Sequence, residues 1–354
     1  MTHSSTGPEK SSSPPFSVER YLVAPVEKFP ECEITFFFGV HHEVGDLEFI
    51  KRRFHECDIF LPEWEGWGPA MIEGFNALSR GTIRSIEFNK LHIAPPSDPH
   101  EFSYLLGMLE MIHGSKKVIG FYDTPYNHKI KQDSKKLYTI ESNDTFRILT
   151  SLKSNSPASF RKEVERFQRL EIKLFETIGL RREAYMLQRL PKTLQVCIDT
   201  HPHLASKHPL KAFSSLGAAH GRFADVVKKY HNTVSAQYPD NWDGDITVGM
   251  STFLRDGKGD SAPWSVLYLV SLLKRGFGNV SKLDTGTAMS LDSILFREFI
   301  HKTPEELEAF YYTQLPVFLQ NPGTFKIFFL SLLKKYQEIS AHQGQRDGSE
   351  SASN

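Results

Sequence analysis

Cysteine is scarce in this chain, with only Cys32, Cys57 and Cys197 in 354 residues. An odd number at wide spacing builds neither a disulfide framework nor a cysteine-based zinc site, so reduced thiols are expected. Net charge is missing as well: Lys+Arg and Asp+Glu both number 42. Affinity for nucleic acid needs clustered excess positive charge, so no nucleic-acid partner is expected. Long apolar runs are also absent. The most apolar late stretch, FKIFFLSLL (325–333), falls far short of the roughly 20 residues a membrane-spanning helix needs. The N-terminus, MTHSSTGPEKSSSPPF, has no apolar segment of the secretory type. These absences together point to a cytoplasmic protein with no transmembrane segment.

What the chain does have is material for a large core, with 40% hydrophobic and 24% charged residues. Four short apolar runs read as buried strands: EITFFFGV (33–40), CDIFLPEW (57–64), KKVIGFYD (116–123) and KAFSSLGAA (211–219). Helical patterns lie between them. GDLEFIKRRFHE spaces Leu47, Ile50 and Phe54 on one face, and PHEFSYLLGMLEMIHG does the same with Phe102, Leu105, Leu106, Leu109 and Ile112 before Gly114. Strands separated by helices pair in parallel, which predicts a three-layer α/β/α fold around a mainly parallel sheet.

Residues 156–178 carry a long apolar stripe (Phe160, Val164, Phe167, Leu170, Leu174, Ile178), with Ser156 as the expected N-cap and Pro157 in the first turn. Gly179 interrupts it before LRREAYMLQRL resumes the helical pattern. After residue 220 the pattern offers no further strand. Thr303, Pro304 and Glu306 open another helix with a capping-box signature. The expected organisation is a polar tail over 1–17, an α/β domain over 18–240, a mostly helical portion over 241–340 packed on it, and a second polar tail over 341–354.

Chemistry gathers at the predicted strand ends. In FFFGVHHE a glycine stands three residues before His42, and in SSLGAAHGRF Gly217 stands three before His220. Glycine lets the backbone leave a strand sharply or lets another backbone approach closely. Open α/β sheets bind ligands outside the carboxyl ends of their strands, so the two imidazoles can converge on one point. Each is also a residue type that simply hydrogen-bonds at a strand end. Glu63 and Glu65, at i and i+2 after the second run, are expected on one side of the strand, and Asp123 ends the third. Carboxylates beside two histidines suit a divalent metal site or a general base. Arg182 and Tyr185 share a helix face, where an arginine can anchor a carboxylate or stabilise an oxyanion. His201, His203 and His208 cluster in THPHLASKHP, read here as a solvated surface insertion because no carboxylate or cysteine completes a ligand set.

The ordered series of Gly-x-x-His, FLPEWE, VIGFYDTP, RREAYM and SSLGAAHGRFADVVKKY resembles the TraB/PrgY and Tiki group of the erythromycin-esterase/ChaN-like superfamily, over residues 33–231. The resemblance implies a three-layer α/β fold and a site between the two histidines. It also implies hydrolysis of an amide or ester bond in a small molecule or peptide. Within that superfamily water is activated either by a divalent metal such as manganese, cobalt or zinc, or directly by a His/Glu pair. His42, His220, Glu63 and Arg182 take the catalytic positions, and His42, Glu63, His220, Glu65 and Asp123 the metal positions. The alternative it implies is a non-enzymatic regulatory module that binds a ligand, a metal or haem. Four departures stand out: Val40 where Thr or Ser is common, Glu183 where Asn is common, an extra imidazole at His41, and a long segment between Met186 and Gly217 that contains THPHLASKHP.

Overall fold

In the computed structural model the described residues are 17–39, 44–93, 99–154, 156–239, 262–277 and 291–350. In chain order the elements begin with β1 (Glu33–Gly39), α1 (Val44–Glu56), β2 (Ile59–Pro62), α2 (Pro69–Ser79), α3 (Ser85–His92), α4 (Pro99–Ile112) and β3 (Val118–Ile119). There follow α5 (Lys129–Lys153), α6 (Phe160–Leu174), a π-helical stretch (Phe175–Arg181), α7 (Arg182–Thr200), β4 (Lys211–Gly217), α8 (Phe223–Lys228) and β5 (Val234–Gln237). The last four helices are α9 (Ala262–Phe277), α10 (Leu291–Phe299), α11 (Pro304–Gln320) and α12 (Pro322–Glu350). No described helix is long and apolar enough to cross a membrane.

The chain divides into two compact units. The first comprises Met1–Lys135, Leu174–Asp243 and Thr247–Lys258, and the second Lys136–Lys173, Gly244–Ile246 and Gly259–Asn354. The segment 136–173, placed with the α/β part on sequence grounds, therefore clusters with the C-terminal helices.

The first unit is an α/β fold built on a five-stranded parallel sheet of order β3-β2-β4-β1-β5, flanked by helices. Both faces of β1 are buried, as its unbroken apolar run requires. Phe37 turns to the side of α1, its ring 4.5 Å from Phe49, while Phe36 turns to the other and meets Phe223 edge-on at 5.6 Å. Phe54, Phe60, Phe75, Phe88 and Leu109 fill the first of these layers. The four strands read from sequence are β1 to β4, though β3 is only two residues long. The fifth, β5, contradicts the expectation that no strand follows residue 220. Its sequence, VSAQ, has no fully buried side chain, because it is an edge strand paired only with β1 and has no apolar run to announce it.

The second unit is helical. Phe160 of α6 packs on Tyr311 at 5.1 Å, and Phe277 of α9 stacks on Phe325 of α12 at 4.2 Å. The capping box at Thr303 is present, with the Glu306 N–H donating to Thr303 Oγ1 at 3.3 Å and the Thr303 N–H to Glu306 Oε2 at 2.7 Å. The helix expected to open at Ser156 starts instead at Phe160, where the Ser159 carbonyl accepts the Glu163 N–H. Helix α12 runs to Glu350, through residues whose composition reads as tail.

Candidate functional site

The carboxyl ends of β1, β2, β3 and β4 lie side by side, and the two predicted Gly-x-x-His motifs start from paired positions, Gly39 opposite Gly217. Glycine is needed at 39 because the Asp46 carboxylate of α1 rests where a Cβ would stand. His41 and His42 fall outside the described residues. His220 closes a short 3-10 turn after β4 and is 2% exposed.

Glu63, the residue after β2, is met by two side chains, Arg182 and His220, each held from behind by a second carboxylate. Its backbone N–H extends the ladder to Ser215, and its Oε2 accepts the Gly217 N–H at 2.5 Å. Its Oε1 accepts from Arg182 Nη2 at 2.8 Å and stands 3.5 Å from His220 Nε2. Arg182 also donates through Nε to Asp123 Oδ1 at 2.8 Å, and through Nη2 to the second oxygen of that carboxylate. On the far side of the imidazole, Glu183 Oε1 lies 3.0 Å from His220 Nδ1. Glu63 is the most open of the set, with its side chain 12% exposed against 8% for Arg182, 2% for His220, 1% for Asp123 and none for Glu183.

Helix α7 delivers two of these groups, and its seat explains how. Its Thr193 hydroxyl donates to the Phe121 carbonyl at 3.0 Å, and Gly120 faces it with no side chain, leaving Thr193 and Cys197 in the vacated space. The π-helical stretch, which contains Gly179, ends immediately before Arg182 and Glu183; such insertions recur at functional sites. Below the cluster, the buried Tyr122 hydroxyl pairs with Ser214 at 2.7 Å, and Ser214 donates to the Leu61 carbonyl.

Burial alone would push the His220 pKa down. The hydrogen bonds with Glu183 and Glu63, and the Glu63 charge, outweigh that and the opposing Arg182 charge, raising it to about 9. His220 is therefore an imidazolium at neutral pH. Burial likewise disfavours the Arg182 charge, but Asp123 and Glu63 hold its pKa well above the ordinary value. The arrangement can hold a proton at His220 Nε2 next to an acceptor at Glu63, with Glu183 fixing the ring.

Of the residues expected from sequence, Glu63, Asp123, Arg182 and His220 are brought together. Glu65 is not with them. Strand β2 ends at Pro62, so the side-alternation expected for positions 63 and 65 does not apply, and Glu65 turns to Thr124 at 3.5 Å. Glu183, noted in the sequence only as a departure, proves to be the partner of His220; nothing in RREAYM distinguishes a buried acid from a surface one. His203 and His208 are exposed, and His201 is held by the Cys197 carbonyl at 3.0 Å. All three cysteines are free and buried.

Among the described residues no three His, Cys, Asp or Glu side chains group to hold a metal ion. His220 Nε2 and Glu63 Oε1 are two donors at a separation that one ion can bridge, with Glu183 behind the imidazole in the supporting position metal-bound histidines use. Asp123 is turned to Arg182, and His42 lies outside the described residues. Comparison with known proteins finds no matching family model, no similar curated protein and no similar solved structure.

Proposed function

We propose that the α/β unit is a hydrolase of amide or ester bonds in which Glu63 and His220 divide the proton work. The observation that supports this reading is the Glu63–His220 pair, 3.5 Å apart, with the imidazole held from behind by Glu183. Glu63 takes a proton from water as its oxygen adds to the carbonyl carbon. The bond to the leaving group breaks, and the leaving group takes the proton from His220 Nε2. The proton on Glu63 then passes to the neutral imidazole, restoring both groups. Arg182 orients Glu63; its Nε and Nη2 are already committed to carboxylates.

A divalent metal bound at His220 Nε2, Glu63 and His42 would supply a water of lowered pKa at the same place. Hydrolysis of an ester and peptide panel, measured with and without manganese, cobalt or zinc, tests the reading. Glu63→Gln and His220→Gln should each lower kcat by about a hundredfold or more. A melting temperature raised by one of the metals, and no longer raised in His42→Ala, would assign the metal version. The closed internal pairing of the cluster favours a second reading, a regulatory module that binds a ligand or haem. Retained ligand binding with no turnover across the panel would establish it and sink the hydrolase.

A further inference from the structure

Residues 181–192 carry four cations: Arg181, Arg182, Arg189 and Lys192. Three have carboxylate partners: Arg181 with Asp133 at 3.3 Å, Arg182 with Glu63 and Asp123, and Lys192 with Glu27 at 2.9 Å. Arg189 has none. Its guanidinium lies over the Trp67 ring, 5.9 Å from the centroid, and its Nε is buried without a hydrogen bond. Trp67 is itself pinned, its indole N–H donating to the Asp123 carbonyl at 2.6 Å. A second uncommitted cation is nearby. Gly66, at φ +84°, leaves the space over its α-carbon to the Lys131 ammonium, which makes no ion pair among the described residues.

Arg182, Tyr185 and Arg189 fall at i, i+3 and i+7, on one face of α7, and the ends of that series are on the order of 10 Å apart. Between them stand half-buried aromatic groups: Tyr185, with the His128 ring at 4.4 Å, and Trp67. The face therefore runs from the proton-handling cluster, across rings, to a guanidinium with no carboxylate partner among the described residues. A guanidinium in cation–π contact with an indole keeps its other N–H donors for a carboxylate, which an arginine can take in two parallel hydrogen bonds.

We propose that Arg189 on Trp67, assisted by Lys131, is a carboxylate-binding subsite, and that the substrate is an acyl chain ending in a carboxylate about 10 Å from the bond that is cut. This rests on the hydrolase reading for the bond that is cut, but not for the binding of the carboxylate. A carboxylate here offsets two positive charges that have no carboxylate partner among the described residues, and the rings favour an unbranched apolar stretch over a further charge.

A matched pair of esters tests it: the mono-p-nitrophenyl ester of suberic acid against p-nitrophenyl octanoate, which has the same length without the terminal charge. The wild type should prefer the acid through KM. Arg189→Gln should reduce that preference about tenfold while leaving octanoate turnover unchanged, and Arg189→Lys should fall between. Calorimetry with suberate is the second arm, run on wild type, Arg189→Gln, Lys131→Gln and His220→Gln. Suberate should bind the wild type and His220→Gln alike, and bind Arg189→Gln and Lys131→Gln more weakly. If no ester is cleaved but this binding pattern holds, the hydrolase reading fails and the subsite stands. Equal suberate affinity in wild type and Arg189→Gln, or no binding to the wild type, overturns the subsite whatever the esters do.

Discussion

A guanidinium between two buried carboxylates makes Arg182 the residue on which the cluster depends. Removing one partner of such a group leaves uncompensated charge in a dry environment, which typically costs about 3–5 kcal/mol. Arg182→Met should destabilise the protein by that order in urea unfolding. Adding Asp123→Asn, which removes one stranded charge, should recover part of the loss; strict additivity of the two changes would mean the pair is not coupled. Glu171, in the helical unit, makes a separate case. Burial, with the Glu141 charge adding and Arg275 opposing, raises its pKa from 4.5 to about 7. Between those values the folded protein keeps a proton the unfolded chain has lost, so stability falls as pH rises through that window and is level above it. Unfolding midpoints measured across the window should show a slope in wild type that is reduced in Glu171→Gln; equal slopes would remove Glu171 as its source.

At the scale of elements, the close seat of α7 on the sheet carries Arg182 and Glu183 to the strand ends. A Cβ at Gly120 would meet Leu61 at 2.7 Å and Thr193 at 3.0 Å, both buried. Gly120→Ala should therefore cost about 1–3 kcal/mol as an overpacked core, and should lower activity more than the stability loss explains. Undiminished melting temperature would show that the helix can give way. Thr303→Ala, which deletes one half of a formed capping box, should cost about 1 kcal/mol without touching activity. Thr303 and the apolar runs of β1 and β4 were legible because each signal is local: a capping pattern, or a strand buried on both faces. Edge strand β5 was not, since VSAQ lacks apolar period and gains its place only from β1. The acid in RREAYM was not legible either, because its burial depends on α7 seating over Gly120, some sixty residues away in the chain. Glu65 misled for the opposite reason: the alternation rule was right for strands, but the strand stops three residues earlier.

The whole molecule is cut by its contacts into units that the sequence order does not separate. Every described residue of the candidate site lies in the first unit, while the second is assembled from 136–173 and the C-terminal helices. Composition alone places a boundary near 240, since nothing in a helical stripe names the surface that covers it. The stripe of α6 is covered from the C-terminal side of the chain. Phe160 packs on Tyr268 at 5.8 Å and on Tyr311, its N–H is taken by the Tyr312 hydroxyl at 2.9 Å, and Phe167 meets Trp264. A chain ended at Lys258 keeps all five strands and every described site residue but exposes Phe160, Val164 and Leu170, which are nearly solvent-free in the intact protein. Exposed apolar stripes of this kind drive association. The shortened chain should elute as aggregates on size exclusion with light scattering, and Phe160→Ser with Val164→Ser should return part of it to monomer. A monomeric, cooperatively unfolding chain ending at Lys258 would show that the stripe of α6 does not depend on residues 259–354 for its cover.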